Sequence, residues 1–165
     1  MNEIPSMWRT ELWHPLSVHF PIAILSLAAV IGMAYLLFKK KDCAPYLRFT
    51  LSLLLWCGVV LFWIAFYTGQ EAYSVVVRQI CDPRVLKSHL FWAYIAGTSF
   101  SLAALLDVMV RLVSLKFKSW ITFGAIVLML GGTICITYVG HLGARLVYQQ
   151  AAGVYQPSED CIEFE

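Results

Sequence analysis

The stretch HPLSVHFPI (residues 14–22) stands where a polar lead gives way to the first long apolar run of the chain. Histidine is costly in hydrocarbon and is usually found there because it serves a ligand, a proton or a polar partner. Two histidines in this short stretch therefore indicate a site at a membrane entry. The two prolines each fix φ and remove an amide donor, so the first helix is expected to start in two stages or to begin properly near Pro21.

The composition is that of an integral membrane protein. Hydrophobic residues make up 60% of the 165 residues and charged residues 13%, whereas an average soluble domain is about 25% charged. Mean hydropathy is +0.72. We predict a single domain over residues 1–165, an all-α, up-and-down four-helix membrane bundle with an acidic tail over 153–165. Four apolar runs are long enough to cross a bilayer core of about 30 Å as helices: residues 17–38, 49–67, 89–113 and 120–138.

These runs leave no room for a soluble domain. The chain has no Gly-rich phosphate loop, no nucleophile elbow and no CxxC motif, which excludes the soluble enzyme chemistries that need them. No nucleic-acid partner is expected. Any chemistry must lie among the helices, and whether the chain is an enzyme stays open.

Basic residues favour one orientation in the membrane. Lys and Arg collect on the cytoplasmic side of short loops, and here they are more numerous around the first loop (39–48) and the third (111–118) than in the outer segments. We predict both termini on the outer, periplasmic side of a bacterial inner (cytoplasmic) membrane, with the spans in contact with membrane lipid. Cys81 and Cys161 would then share an oxidising compartment, where a disulfide between them is one open arrangement.

All four histidines fall on one face of the membrane in this topology. His14 and His19 start the first span, His89 starts the third and His141 ends the fourth. The result holds for either direction of insertion, because it depends only on the alternation of four spans. Anchoring at the membrane interface is one interpretation, since histidine is amphipathic. A ligand site shared by several helices is the sharper one.

A b-type haem is the favoured ligand. Haem iron takes imidazoles from two helices, while a bundle supplies an apolar slot and basic residues receive the propionates. The axial candidates are His19, His89 and His141, with His14 and Arg145 as support for the propionates. Small residues follow His89 on one face of the third span, where they either let helices approach closely or leave room for a flat ligand: Ala93, Ala96 and Gly97.

Three other functions stay open at this point. A copper or zinc site would use the imidazoles of His19, His89 and His141, with Glu71 or water as a fourth ligand. A cofactor-free accessory scaffold would use the histidines only as anchors. A transporter is disfavoured because broken helices and inverted repeats, its usual signs, are missing, and the two hairpin halves share no aligned motif that would indicate an internal repeat.

One ionisable pair lies at the opposite end of the third span. Asp107 and Arg111 have the i, i+4 spacing of a helix ion pair. We interpret the pair as structural, with Arg111 reaching to the surface. It is therefore not assigned to the histidine site.

The blocks HPLSVHFPI (14–22) and GHLGARLVY (140–148) resemble those of a bacterial family of small four-span membrane proteins of unknown function. That family is marked by an HPxxVHFPI opening block and a GxLGxxLVY closing block. Related sequences occur joined to cytochrome c-type modules, so the resemblance implies a redox role. For the haem hypothesis the expected partners are a quinone or a periplasmic cytochrome, within a larger respiratory assembly or a homo-oligomer. Arg145 departs from the pattern, which more often has Gly there.

Overall fold

Four long helices make up the protein in the computed structural model, which describes residues 4–113, 116–156 and 159. A short 3-10 helix, Thr10–Leu12, leads into the first of them. Each long helix is apolar enough to cross a membrane, and the described part of the chain contains no strand. The predicted all-α, four-span protein is thus confirmed. The helices are α1 (Trp13–Phe38), α2 (Ala44–Val76), α3 (Pro83–Leu112) and α4 (Lys118–Gln150).

Two helices extend well beyond the apolar runs at the end that carries the histidines. α2 continues past Tyr67 to Val76, and α4 continues past Tyr138 to Gln150, because backbone hydrogen bonding goes on where polar residues lower the hydropathy. Each of these helices has 33 residues and is therefore about 50 Å long. The hydrocarbon core is only about 30 Å thick, so both helices are longer than the core is thick.

α1 begins before both of its prolines, so the predicted helix start near Pro21 is wrong. Pro15 lies in the first turn of α1, where a backbone N–H has no partner within the helix. Pro21 lies inside the helix and withholds the donor that the carbonyl of Ser17 would otherwise receive. The side chain of Ser17 ties this turn to α2, since its hydroxyl lies 2.9 Å from that of Thr68.

The bundle is built from two hairpins. α1 packs extensively along α2, and α3 along α4, whereas α1 touches α4 and α2 touches α3 less. Among the described residues, the backbones of diagonally opposed helices do not approach each other. Leu25, Leu55 and Phe100 are fully buried in the core between the helices. This is the predicted up-and-down arrangement.

The two hairpins repeat the same contacts, so the prediction of no internal repeat is wrong. In the first hairpin a Cβ on Gly58 would lie 2.5 Å from Leu25, and in the second a Cβ on Gly132 would lie 2.8 Å from Phe100. Phe100 is thus the equivalent of Leu25, and Gly132 is the equivalent of Gly58. The first pair is separated by one residue more along the chain than the second. The second hairpin is therefore a structural repeat of the first. Because α1 and α3 run in the same direction, the repeat is not an inverted one.

A buried ion-pair cluster joins α2 to α3 at the end of the bundle remote from the histidines. The carboxylate of Asp107, only 3% exposed, accepts hydrogen bonds from Ser52 (2.8 Å) and Arg111 (3.2 Å) and pairs with Arg48. The predicted pair of Asp107 with Arg111 is confirmed. Spacing within α3 does not reveal Arg48 and Ser52, since both come from α2.

Candidate functional site

A cavity of about 510 Å³ lies between the two hairpins at the histidine end of the bundle. All four helices line it, and most of its wall is apolar. Its volume falls in the range of about 300 to 1,000 Å³ that small-molecule and cofactor sites occupy. The cavity is therefore large enough for an organic cofactor and too apolar for a strongly hydrated one.

His14 and His89 meet in this cavity. Their ring centroids are 6.1 Å apart and their planes are inclined by 88°. The two residues come from α1 and α3, which are diagonally opposed and whose backbones stay apart, so the imidazoles bridge the space between the hairpins. Neither ring is freely exposed to solvent.

Each of these imidazoles is held by a backbone carbonyl of its own hairpin. Nδ1 of His14 donates to the carbonyl oxygen of Ala65 in α2 (2.9 Å), and Nδ1 of His89 donates to that of Val139 in α4 (3.0 Å). A carbonyl oxygen can only accept, so Nδ1 carries the proton and the neutral ring keeps its lone pair on Nε2. Metal-binding histidines typically have this arrangement, in which a bond from the other ring nitrogen sets tautomer and orientation.

Glycines on the partner helices make room for both rings. A Cβ on Gly69 would lie 2.9 Å from Cε1 of His14, and a Cβ on Gly143 would lie 3.4 Å from Cε1 of His89. Gly69 and Gly143 are related by the same offset as Gly58 and Gly132. The histidines, their carbonyl partners and the adjacent glycines are thus equivalent positions in the two hairpins.

The other two histidines have different surroundings. His19 lines the cavity but is exposed on the surface of α1. His141 does not line the cavity; it is exposed and stacks on Tyr138 with centroids 6.3 Å apart. All four histidines lie at one end of the bundle, and His14 and His89 are the two whose rings contact each other. From sequence, His14 is predicted to support the propionates and His141 to be an axial ligand, whereas the structure places His14 beside His89 and His141 outside the cavity lining.

Arg145 does not line the cavity either. Its side chain is exposed and its Nε donates to Gln149 (3.2 Å). Among the residues that the structure describes, no Lys or Arg lines the cavity. At its outer rim, however, Arg9 pairs with Glu11 (3.5 Å), whose side chain lines the cavity. Nε of Arg9 is buried and has no hydrogen-bond partner in the part of the chain that the structure describes.

The structure does not form the three-imidazole metal site. Within residues 4–113, 116–156 and 159, no group of three or more His, Cys, Asp or Glu side chains could hold a metal ion. The fourth candidate ligand, Glu71, is exposed and does not line the cavity. The pairing of Cys81 with Cys161 and most of the acidic tail lie outside the described residues.

The signal that would have identified His14 from sequence is the repeat itself. When α1 is aligned with α3, His14 falls on His89, while His19 falls on a tyrosine, Tyr94. The alignment is hard to find because few residues are identical and the two helices of each hairpin need slightly different offsets. The equivalent contacts in the structure reveal the repeat, whereas residue identities in the sequence do not.

These features define a four-span membrane protein with a histidine-lined cavity between two helical hairpins. The chain belongs to the family described as "predicted membrane protein (DUF2231)", whose sequence profile matches residues 12–156. The resemblance carried by the opening and closing blocks is thereby confirmed. No curated protein and no solved structure gives a significant match to the chain.

Proposed function

We propose that this protein binds one b-type haem in the cavity, with His14 and His89 as axial ligands, and serves in membrane electron transfer. The observation that carries the proposal is the pair of imidazoles in edge contact across the hairpins, each with Nδ1 bound to a carbonyl. A bound haem would supply one-electron chemistry at a potential tuned by its ligands and its burial.

The separation of the two rings supports bis-imidazole ligation. Metal–imidazole bonds are about 2 Å long, so two imidazoles on opposite sides of one ion have ring centroids about 6 Å apart. The centroids of His14 and His89 are 6.1 Å apart. The centroid separation is therefore compatible with an iron ion between the two rings.

The number of ligands favours haem over a bare metal ion. A copper or zinc site needs three or four protein donors, and the described residues offer no such group. A porphyrin brings its own four nitrogen donors, so two imidazoles complete the coordination of its iron. The apolar wall of the cavity suits the macrocycle as well.

A propionate partner is present at the outer rim. The free, buried Nε of Arg9 is a donor for a carboxylate, and the adjacent carbonyl of Gly153 holds the same side chain (3.4 Å). Arg9 takes this role in the proposal in place of Arg145. Under the predicted orientation the rim faces the periplasm, within reach of a cytochrome partner.

Spectroscopy of the purified protein tests the proposal. The full chain is produced in bacteria supplied with a haem precursor, purified in detergent, and measured for a Soret band, for low-spin α and β bands after reduction, and for bound metals. We expect a low-spin haem b in the wild type. His14→Ala and His89→Ala should each lose the low-spin bands, while the control His141→Ala should keep them.

Two results would overturn the proposal. One is the absence of a Soret band from folded protein. If the metal analysis of that protein finds copper or zinc, the bare-metal site is indicated instead. The other is a low-spin spectrum that survives both His14→Ala and His89→Ala. Size-exclusion chromatography and helical circular dichroism of each variant separate loss of ligand from loss of fold.

A further inference from the structure

The cavity lining differs between the two hairpins in the size of its side chains at equivalent positions. Phe66 and Gln70 of α2 line it, and their equivalents in α4 are Gly140 and Ala144, which line it too. Large side chains thus fill the side next to α2, and small ones leave space next to α4. A Cβ on Gly140 would meet no atom within 4 Å.

The small-residue side opens to the surface between α1 and α4. Six residues both line the cavity and are exposed, and we call them the portal: Pro15, His19, Gly140, Ala144, Val147 and Tyr148. On the opposite seam the lining residues of α2 and α3 are at most half-exposed, among them Phe66, Tyr73 and Leu90. The cavity therefore has a lateral opening on a single side of the bundle.

The surface beside the portal is apolar on the α1 side. Leu16 is 71% exposed and Phe20 is 60% exposed on the same stretch of α1, and both helices qualify as membrane spans. In a bilayer such side chains contact lipid. A molecule that enters through the portal thus comes from the membrane.

The portal has hydrogen-bonding groups but no fixed charge. His19 and Tyr148 provide an imidazole and a phenol, and no Lys, Arg, Asp or Glu is among the portal residues. A phospholipid headgroup would bring a phosphate for which the portal has no cation. A neutral ring with oxygen substituents and an apolar tail matches both properties.

We propose that a lipid-soluble quinol docks in the portal, with its ring oxygens at His19 and Tyr148, and is the electron donor of this protein. The inference rests on the proposed haem. Ferric haem is the oxidant: a quinol gives up two electrons and two protons, and each electron reduces one ferric haem. Two protein molecules, or two turnovers of one, are needed per quinol. The protons pass to His19 or to water at the outer rim, and the quinone returns to the lipid.

A filled portal tests the proposal without touching the axial ligands. Gly140→Phe places a ring where the structure has open space, and Gly131→Phe is the matched control. Gly131 lies in the same helix, is exposed, has no atom within 4 Å of its Cβ position and does not line the cavity. Oxidised holoprotein in detergent is mixed with decylubiquinol, and the formation of ferrous haem is followed by its α band. Dithionite is then added to reduce the haem that is still ferric.

Wild type and Gly131→Phe are expected to be reduced by decylubiquinol. Because Gly140 and His19 line the haem cavity, their variants are scored per haem that dithionite reduces. On that basis Gly140→Phe should lose quinol reduction, and His19→Leu should slow it by about three- to tenfold, the value of one lost hydrogen bond. Equal rates in Gly140→Phe and Gly131→Phe would overturn the portal. The proposal would also be overturned if dithionite reduces the wild type and decylubiquinol does not. In that case an acyl chain would be the occupant of the portal. Absence of haem is a different result, since it contradicts the proposed function itself.

Discussion

His14 and His89 occupy equivalent positions in the two hairpins, and each directs Nδ1 to a carbonyl of the neighbouring helix. The glycines beside the two rings, Gly69 and Gly143, are equivalent too, but the distances from their Cβ positions to the rings differ. A Cβ on Gly69 would lie 2.9 Å from the ring of His14, whereas a Cβ on Gly143 would lie 3.4 Å from that of His89. The first distance requires the ring to move, and the second is an ordinary contact.

The variant Gly69→Ala should therefore displace His14, and Gly143→Ala should leave His89 in place. We expect Gly69→Ala to lower the free energy of unfolding by about 1 to 3 kcal/mol, as overpacking does. Gly143→Ala should be neutral or slightly stabilising, because Ala favours helix over Gly. Thermal unfolding in detergent measures both. In haem-loaded protein, only Gly69→Ala should shift the low-spin electron paramagnetic resonance signal; an equal shift in both variants would contradict the prediction.

Two adjacent glycines of α4 provide a second matched pair. A Cβ on Gly132 would lie 2.8 Å from the buried ring of Phe100, while a Cβ on Gly131 would meet nothing within 4 Å. Gly132→Ala should destabilise the bundle by about 1 to 3 kcal/mol, and Gly131→Ala should not destabilise it. Unfolding by increasing SDS measures the difference. If Gly132→Ala is as stable as Gly131→Ala, the packing of α3 against α4 is not the one described.

The cluster around Asp107 predicts a strong effect on stability and none on the cavity. Asp107→Ala leaves the guanidinium of Arg48, whose side chain is only 19% exposed, without its carboxylate. Loss of one partner of a buried ion pair costs about 3 to 5 kcal/mol, and we expect a decrease of that order in SDS unfolding. The haem spectrum of protein that remains folded should not change.

The control for this variant is Asp42→Ala, which removes an exposed carboxylate from the first loop. Its stability should lie within about 0.5 kcal/mol of the wild type. Equal stability of the two variants would show that the buried cluster contributes nothing. A loss of the low-spin spectrum in folded Asp107→Ala would show that the two ends of the bundle are coupled.

Cysteine labelling tests the predicted orientation. Cys43 lies in the first loop and Cys81 in the second, and both are exposed. In variants that keep one of these cysteines and replace the other four, a membrane-impermeant maleimide should label Cys81 in intact spheroplasts. It should label Cys43 only after permeabilisation, because the basic first loop is predicted to face the cytoplasm. The opposite pattern would invert the topology and move the cavity to the cytoplasmic end.

The repeat explains why the candidate site was only partly predictable. Four spans and their alternation follow from hydropathy, and they place all histidines at one end of the bundle. The choice among the histidines depends on the direction in which each one faces. Gly140 and His141 show this: a helix turns about 100° per residue, so Gly140 lines the cavity while His141 faces outward.

By itself, the sequence determined that this is an all-helical four-span membrane protein with its histidines at one end, because span length and hydropathy are local properties of the chain. It also determined the Asp107–Arg111 pair, whose spacing lies within one helix. Only the tertiary structure decided that His14 pairs with His89, that Arg48 and Ser52 join Asp107, and that the cavity opens between α1 and α4. These depend on the rotation and neighbours of each helix, which are set by close packing at positions such as Gly58 and Gly132.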